Sequence, residues 1–233
     1  MMPVAPKPAP TDPALRTCID VYRNQARTEP VRIVWKRFRD SACGKSWFVE
    51  LQSAYGHRCL YCDHSPTRSI DHRDAKSAGV ADAFEWKNFR PSCGDCNRLK
   101  GTLATVDPVT ADPFAFLEFD VTTGKPAARS TATRARRTKA ETTLRLLNHP
   151  TFNDARRAKR KRVVDVLRRF TENEKGFDAA RVLEELAANE PHRAIVRDLV
   201  LDAEADLHQW SALVRLAMKK LPTLKAWAVK PTT

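Results

Sequence analysis

Glycine is scarce in this chain, which has seven glycines among 233 residues. The sequence contains no glycine-rich loop of the kind that cradles the phosphates of a nucleotide. It also shows no internal repeat and no coiled-coil heptad pattern. We therefore expect the chain to lack an ATPase of its own, so that any control by a nucleotide would come from a partner.

Long apolar segments are missing as well. No apolar run reaches the length of about 18 residues that a transmembrane helix requires, so we expect no membrane association. The first residues, Met-Met-Pro-Val-Ala-Pro-Lys-Pro, lack the apolar core of a signal peptide, and we expect none.

Cysteine is limited to six residues. Four of them are assigned to a metal site below, which fits a cytoplasmic location. We predict that Cys18 and Cys43 are plain thiols in a helical core.

Acidic residues are few relative to basic ones. The chain has 28 Asp and Glu against 41 Lys and Arg, for a formal charge of +13. Residues 129–169 contain 14 basic and three acidic residues, a net charge of +11, and the rest of the chain nets +2. Such a block attracts phosphates, so we expect a nucleic acid partner, with an acidic protein or a merely solvated helix face as alternatives. The candidate contacts are Arg134, Arg136, Arg137, Arg157 and Arg160.

Two Cys-x-x-Cys pairs, Cys59 with Cys62 and Cys93 with Cys96, lie in the middle of the chain. Four thiolates are the ligand set of a closed, tetrahedral zinc site. The pairs are separated by 30 residues, which exceeds the usual gap of about 15–20 and indicates that the intervening segment has another role. Two disulfides or four unrelated buried thiols are the alternatives. We predict a structural Zn²⁺ ion, with the neighbouring His57 and His64 as bystanders.

The segment between and just after the pairs predicts a small fold. Residues 68–72 alternate polar with apolar side chains and predict a strand that ends at Asp71 and His72. Residues 89–92 predict a second strand, and residues 96–100 the start of a short helix. A unit of this size has too little core to fold unaided, so we expect metal binding to supply the folding free energy.

This region resembles the HNH endonuclease family, in its variant with two Cys-x-x-Cys zinc knuckles. The resemblance rests on Cys59-x-x-Cys62, Asp71-His72, Trp86-x-Asn88, Cys93-x-x-Cys96-Asn97 and Lys100-Gly101. It implies that His72 is the general base that activates water and that Asp71 binds the catalytic divalent ion. It also implies that Asn88 orients the His72 ring. Asn97 stands where many members have histidine, which makes the signature H-N-N and makes Asn97 the second ligand of that ion.

The chemistry of these side chains fits the same roles. Phosphodiester hydrolysis needs a base with a near-neutral pKa, which an imidazole such as that of His72 supplies. A carboxylate and an amide oxygen, from Asp71 and Asn97, form a hard oxygen site that favours Mg²⁺ or Mn²⁺. Lys76 and Lys100 are candidate phosphate contacts. A related fold that binds nucleic acid without catalysis remains the alternative.

A wider resemblance extends over about residues 40–165. Asp107-Pro108, Asp112-Pro113-Phe114, Thr123-Gly124-Lys125 and the helix end Leu144–Asn148 are similar to the PtuB-like HNH subunit of Septu-type anti-phage systems, some of which accompany retrons. In that family the nuclease works with a separate ABC- or SMC-like ATPase. The resemblance therefore implies a DNA endonuclease of antiviral defence under the control of an ATPase partner. RNA as the substrate is a further alternative.

The predicted fold class is α+β and mainly helical, with a zinc-stapled ββα-metal (HNH) nuclease core flanked by N- and C-terminal helices. The predicted organisation is a flexible proline-rich arm over 1–12, a helical segment over 13–56, the nuclease core over 57–127 and a basic helical region over 128–233. The patterns predict a helix or strand at 31–38, a strand at 114–121, and helices at 13–27, 41–54, 131–147, 154–170, 178–188, 191–201 and 207–221.

Overall fold

The structure is a computed structural model, and the description covers residues 4–63, 66–75, 82–120, 123, 125–174, 178, 182, 200 and 211–229. These residues form a mixed α+β, mostly helical protein with two small antiparallel sheets. Within them, no helix combines the length and the apolar character needed to cross a membrane. Side chains of Thr151 and of residues 227–229 are not described.

Three helices form the N-terminal layer: α1 (Pro13–Gln25), α2 (Val31–Asp40) and α3 (Ala42–Ala54). The predicted helices near 13–27 and 41–54 are confirmed, and the ambiguous segment at 31–38 is helical. Gly44 lies where α3 crosses α2, and a side chain there would overlap the Phe38 carbonyl oxygen. This close crossing lets the three helices share one core, whose buried members include Ile19, Val34, Phe38, Trp47, Leu51, Phe84 and Phe89.

Cys18 of α1 and Cys43 of α3 are joined by a disulfide. The prediction that both are plain thiols is therefore wrong. Their separation of 25 residues along the chain gives no indication of contact. The packing of α1 on α3 brings their Cα atoms to 6.5 Å, which is within the range that a disulfide spans.

The proline-rich segment is tied to the body of the protein over its described residues, 4–12, which differs from the expected flexible arm. The Val4 amide donates to the Pro108 carbonyl oxygen at 2.9 Å. The Trp86 indole Nε1 donates to the Lys7 carbonyl oxygen, also at 2.9 Å. Because both partners are far away in sequence, the proline-rich composition of the segment could not predict these contacts.

The predicted strand–strand–helix unit is present at the centre of the molecule. Strand β1 (Ser69–His72) pairs antiparallel with β2 (Phe89–Ser92), with His72 opposite Phe89. Helix α4 (Gly94–Lys100) follows directly. Cys93 caps the N-terminus of α4 and Cys96 lies in its first turn, so the cysteines fix the helix against the sheet. Helix α3 packs on β2, and Gln52 of α3 donates to Thr67 at 2.9 Å, as expected for a helix that rests on the knuckle.

The chain beyond α4 continues the same core. A turn of 3₁₀ helix (Pro113–Ala115) precedes β3 (Leu117–Phe119), which pairs antiparallel with β4 (Pro126–Ala128). Only residues 117–119 of the strand expected over 114–121 are therefore a strand, and Val121 lies outside the described residues. The predicted boundary at 127/128 falls inside β4.

Helices α5 (Arg134–Leu147) and α6 (Pro150–Thr171) confirm the predicted helices in this region. Helix α5 packs on α4 and β4, and the Val106 amide donates to Thr143 Oγ1 of α5 at 2.8 Å. The core of the cysteine cluster includes side chains from both helices: Ala140, Leu146, Leu147 and Phe152. Part of the basic C-terminal region is therefore built into the core around the cysteine cluster.

The end of the chain forms α7 (Ser211–Lys220) and α8 (Thr223–Val229). Helix α7 packs on α6. Its bounds confirm most of the helix predicted over 207–221. The helices predicted over 178–188 and 191–201 lie outside the described residues apart from Asp178, Val182 and Val200. A third core joins α6 to this end of the chain through Val163, Val166, Leu167, Phe170, Val182, Val200, Val214, Ala217, Leu221 and Leu224.

A buried ion pair connects β2 to the loop after α4. Arg90 Nε and Nη2 donate to the Asp107 carboxylate at 2.7 and 2.6 Å, and both side chains are almost fully buried. Burial opposes ionisation of Asp107, but the hydrogen bonds and the positive charge of Arg90 outweigh it and lower the pKa of this carboxyl. The bond therefore stabilises the fold at neutral pH.

We expect Asp107→Asn to lower the free energy of unfolding by about 3–5 kcal/mol at pH 7, because Arg90 would stay buried without its counter-charge. Because the Asp107 pKa is depressed in the folded state, its stabilising effect is present above the unfolded pKa and is lost as the pH falls through the folded pKa. Denaturant titrations of wild type and variant should therefore converge at acidic pH. A difference that stays constant from pH 7 into that range would contradict the assignment.

Candidate functional site

The four cysteines of the two Cys-x-x-Cys pairs come together as one cluster. Their sulfur atoms all lie within 4.8 Å of one another, and all four side chains are buried and free of disulfides. The Sγ atoms of Cys62 and Cys93 are 3.9 Å apart, close to the spacing of about 3.8 Å that two sulfurs have on a tetrahedral Zn²⁺ with bonds near 2.3 Å. The cluster could therefore bind a structural metal such as zinc.

The four thiols affect one another's ionisation. Burial raises the pKa of the Cys59 thiol well above its ordinary value. A hydrogen bond with Cys59 lowers the pKa of Cys62 to about 6. Contacts with the same neighbours lower the pKa of Cys93 and raise that of Cys96. Four buried thiols can all be thiolates only if a cation balances their charge, and a bound divalent metal provides that balance.

Arg156 of α6 contributes a positive charge next to this cluster. The side chain is 1% exposed, and its Nη1 donates to the Leu147 carbonyl oxygen at 2.8 Å and to Asn153 Oδ1 at 3.0 Å. Its buried Nη2 has no hydrogen-bond partner among the described residues. Burial lowers the pKa of Arg156 to about 10, while the sulfurs of Cys62 and Cys96 act in the opposite direction.

A Zn²⁺ ion bound by four thiolates carries a net charge of about −2, which the Arg156 guanidinium would offset. We expect Arg156→Met to weaken zinc binding by about 10–100-fold, the range for changes next to the ligands. Competition with a chromophoric chelator measures this effect. Arg157→Met is the matched control, because Arg157 lies on the same helix with a 59% exposed side chain. Equal zinc affinity in the two variants would show that Arg156 does not strengthen zinc binding.

The end of β1 and the start of α4 border one cleft. The cleft has a volume of about 460 Å³, and Asp71, His72 and Asn97 line it together with Val31, Arg32, Ala75, Gly101 and Thr102. Three of the four predicted catalytic residues therefore share one opening. The pairing of β1 with β2 fixes Asp71 and His72, whereas the cysteine cluster fixes α4 and with it Asn97.

His72 is held in a defined orientation at the back of the cleft. Its Nε2 lies 2.9 Å from the Ala83 carbonyl oxygen, and its ring packs edge-on against Trp35 at 4.4 Å and Phe89 at 5.4 Å between ring centres. A carbonyl oxygen only accepts, so Nε2 carries the proton of the neutral ring and Nδ1 carries the lone pair. The Nδ1 atom is thus the one that could accept a proton.

Asn97 presents its amide oxygen as a ligand atom. Its Nδ2 donates to Ser69 Oγ at 3.1 Å and to the Ile70 carbonyl oxygen at 3.4 Å. These bonds to β1 fix which end of the amide is the donor. The side chain is half-buried and lines the cleft, so its Oδ1 is the atom that could hold a cation.

Asp71 is almost fully buried and already paired. Tyr61 donates its hydroxyl hydrogen to Asp71 Oδ2. The Lys100 ammonium lies 3.2 Å from Oδ2 and also donates to the His72 carbonyl oxygen at 2.7 Å. Burial raises the pKa of Asp71, against the lowering effects of Lys100 and Tyr61. Lys100 is thus 2% exposed and bonded to Asp71, which differs from the surface position expected of a phosphate contact.

Asn88 does not bond to the His72 ring, which differs from the role expected of it. Its Nδ2 donates to the carbonyl oxygens of Asp74 at 3.1 Å and Asp82 at 2.9 Å, and its Oδ1 accepts from the Asp74 amide at 2.8 Å. Asn88 therefore connects the residues just after β1 to the turn that carries Ala83. It can affect the orientation of His72 only through that turn.

The arginines predicted as nucleic-acid contacts lie on two helices. Arg134, Arg136 and Arg137 are exposed on α5, Arg157 is exposed on α6, and Arg160 is half-buried there. Lys76 and His64 lie outside the described residues. His57 is exposed with a positive φ of 59° and is not part of the cysteine cluster.

Sequence reasoning missed Tyr61, Ala83 and Arg156 as parts of these sites. Tyr61 lies inside the first Cys-x-x-Cys pair, and its position there is the one available signal. Ala83 acts through its backbone, which no residue type indicates.

Comparison with protein-family models, with curated proteins and with solved structures gives no match for this chain.

Proposed function

We propose that this chain is a metal-dependent HNH endonuclease that hydrolyses phosphodiester bonds of DNA. The observation that carries the proposal is the cleft where His72, Asp71 and Asn97 meet on a strand–strand–helix unit held by the four-cysteine cluster. A base, a carboxylate and an amide oxygen at one opening are the groups that this reaction needs. Zinc in the cysteine cluster would have a structural role.

His72 acts as the general base in this proposal. Its Nε2 hydrogen bond to Ala83 leaves Nδ1 as the acceptor, and Nδ1 takes a proton from the water that attacks the phosphorus. The contacts with Trp35 and Phe89 hold the ring against rotation. Asn88 is a positioning residue, because it fixes the loop that presents the Ala83 carbonyl oxygen.

Asp71 and Asn97 would hold a hard divalent ion such as Mg²⁺ or Mn²⁺. Such an ion, when bound, stabilises the negative charge that develops on the leaving oxygen. The donor set fits, since both side chains offer oxygen atoms and line the same cleft. Asp71 would have to exchange its contact with Lys100 for the ion, so binding of the ion and breakage of the Asp71–Lys100 pair are coupled.

This coupling supports a nuclease that is weakly active alone. While Lys100 pairs with Asp71, the ammonium occupies the carboxylate that the ion needs. An event that withdraws Lys100 would therefore activate the site. The proposed trigger is an ABC- or SMC-like ATPase partner in a bacterial anti-phage defence complex, as the PtuB-like resemblance implies. The proposed location is the cytoplasm.

Plasmid cleavage at low salt tests the proposal. The purified protein is incubated with supercoiled DNA and Mg²⁺, Mn²⁺ or EDTA, alone and with the proteins that co-purify with it. We expect nicked or linear DNA with Mg²⁺ or Mn²⁺ and none with EDTA. Tight DNA binding without cleavage under every condition would instead support a non-catalytic binding subunit, and cleavage of RNA in preference to DNA would change the substrate.

A further inference from the structure

A second cleft opens on the other side of Asn97. It has a volume of about 370 Å³ and is lined by Trp35, Arg39, Gly44, Lys45, Phe48, Arg68, Ser69, Ile70 and Asn97. Asn97 therefore borders both clefts, while the start of β1 lines the second cleft and its end lines the first. A strand that reaches the reacting groups in the first cleft could continue past Asn97 into the second without leaving the surface.

The rim of this path is positively charged. Arg32 borders the first cleft, and Lys45 and Arg68 border the second; all three are exposed. Their side chains make no ion pair with any described residue. No acidic residue lines the second cleft, and Asp71, the acid in the first, is paired with Lys100. The charges at the rim are therefore available to phosphates.

The floor of the second cleft is aromatic and apolar. Phe48 of α3 is half-buried there, next to Trp35 of α2 and Ile70 of β1. Unpaired nucleic acid bases stack on aromatic side chains while cations nearby bind the phosphates. A paired base keeps its faces in the duplex stack, so only an unpaired base could contact Phe48.

We propose that an unpaired nucleotide beside the scissile phosphate binds in this second cleft, with its base on Phe48 and its phosphates at Lys45 and Arg68. The inference rests on the proposed nuclease function and adds to it a substrate class, a DNA strand that is single-stranded at the cut. Three arginines of α6 are less available for this task. Arg157, Arg168 and Arg169 of α6 each pair with an acidic residue.

Fluorescence anisotropy with a labelled single-stranded 20-mer of DNA tests the path, in buffer without Mg²⁺ or Mn²⁺ so that no cleavage occurs. We expect Lys45→Glu/Arg68→Glu to weaken binding by about tenfold or more at low salt. The slope of log affinity against log salt should also become shallower by about 1.4, the value for two lost phosphate contacts on a single strand. Glutamate at position 45 is compatible with the first turns of α3.

The matched control is Arg27→Glu/Lys87→Glu, which makes the same change of charge at two exposed residues that border neither cleft. We expect this control pair to weaken binding by much less than the cleft pair. Circular dichroism and zinc content show that each variant is folded.

Phe48 provides a second, independent measurement. Phe48→Ala should weaken binding of the single strand by about tenfold and leave binding of a blunt duplex nearly unchanged. A photo-crosslinking amino acid at position 48 should capture the single strand in the otherwise native protein. The same amino acid at position 49 should not, because Val49 is exposed on α3 but does not line the cleft.

The outcomes separate this inference from the proposed function. Metal-dependent cleavage by the wild type, together with equal losses of binding in the cleft and control pairs, would overturn the inference and leave the nuclease in place. The inference would also be overturned if the wild type bound a blunt duplex more tightly than the single strand, or if position 48 gave no crosslink. A wild type that neither binds nor cleaves DNA would overturn both.

Discussion

Replacing His72 by alanine is expected to reduce metal-dependent DNA cleavage by about 10²–10⁴-fold, the usual contribution of a positioned general base. The reason is geometric as well as chemical. His72 lies on the cleft beside Asp71 and Asn97, and its Nε2–Ala83 bond directs Nδ1 to act as the acceptor. Initial rates of plasmid nicking with Mg²⁺ or Mn²⁺ measure the loss.

The control for this prediction is His57→Asn, which removes an exposed imidazole outside the cleft and keeps a residue that tolerates the positive φ at that position. We expect full activity from it. Since the His72 ring also packs on Trp35 and Phe89, the His72→Ala protein must retain its zinc and its circular dichroism spectrum for the comparison to hold. A folded His72→Ala protein that cleaves at the wild-type rate would exclude His72 as the base.

Replacing Cys59 by serine is expected to have the largest effect on folding. Structural Zn²⁺ sites supply an apparent free energy of about 10–16 kcal/mol, and here the cluster fixes α4 and is packed against α5 and α6. The loss should therefore unfold the centre of the molecule rather than one loop. Zinc content by atomic absorption and thermal unfolding by circular dichroism measure it, and a strong chelator should reproduce it in the wild type.

Cys18→Ser serves as the cysteine control. It removes the disulfide to Cys43 and leaves the four clustered sulfurs in place, so the variant should keep a full complement of zinc. If Cys59→Ser also kept stoichiometric zinc and an unchanged unfolding transition, the four-thiol site would be incorrect. Cleavage assays would add a further distinction, because Cys59→Ser should lose activity together with structure, whereas His72→Ala should lose activity alone.

The local patterns of the sequence determined much of this structure. Helices α1, α3, α4, α5 and α6 and the two short strands of the central unit follow from residue periodicity, caps and turns within a few positions of one another, whereas the segment of α2 stayed ambiguous between helix and strand. The convergence of the cysteines also follows, because each Cys-x-x-Cys pair is local and two such pairs supply the four ligands of a tetrahedral structural zinc site. Asp71 and His72 are neighbours in the chain, so the sequence also predicts that they lie at the same site.

The tertiary structure alone decided the contacts between distant segments. Lys100 could have been a surface cation, but α4 lies on β1 and places its ammonium on Asp71. Asn88 bonds to a loop rather than to His72, and the arm near Lys7 docks on Trp86. Arg156 reaches the cysteine core because α6 packs there. Each of these contacts depends on how whole elements pack, and such packing leaves no periodic mark in the sequence.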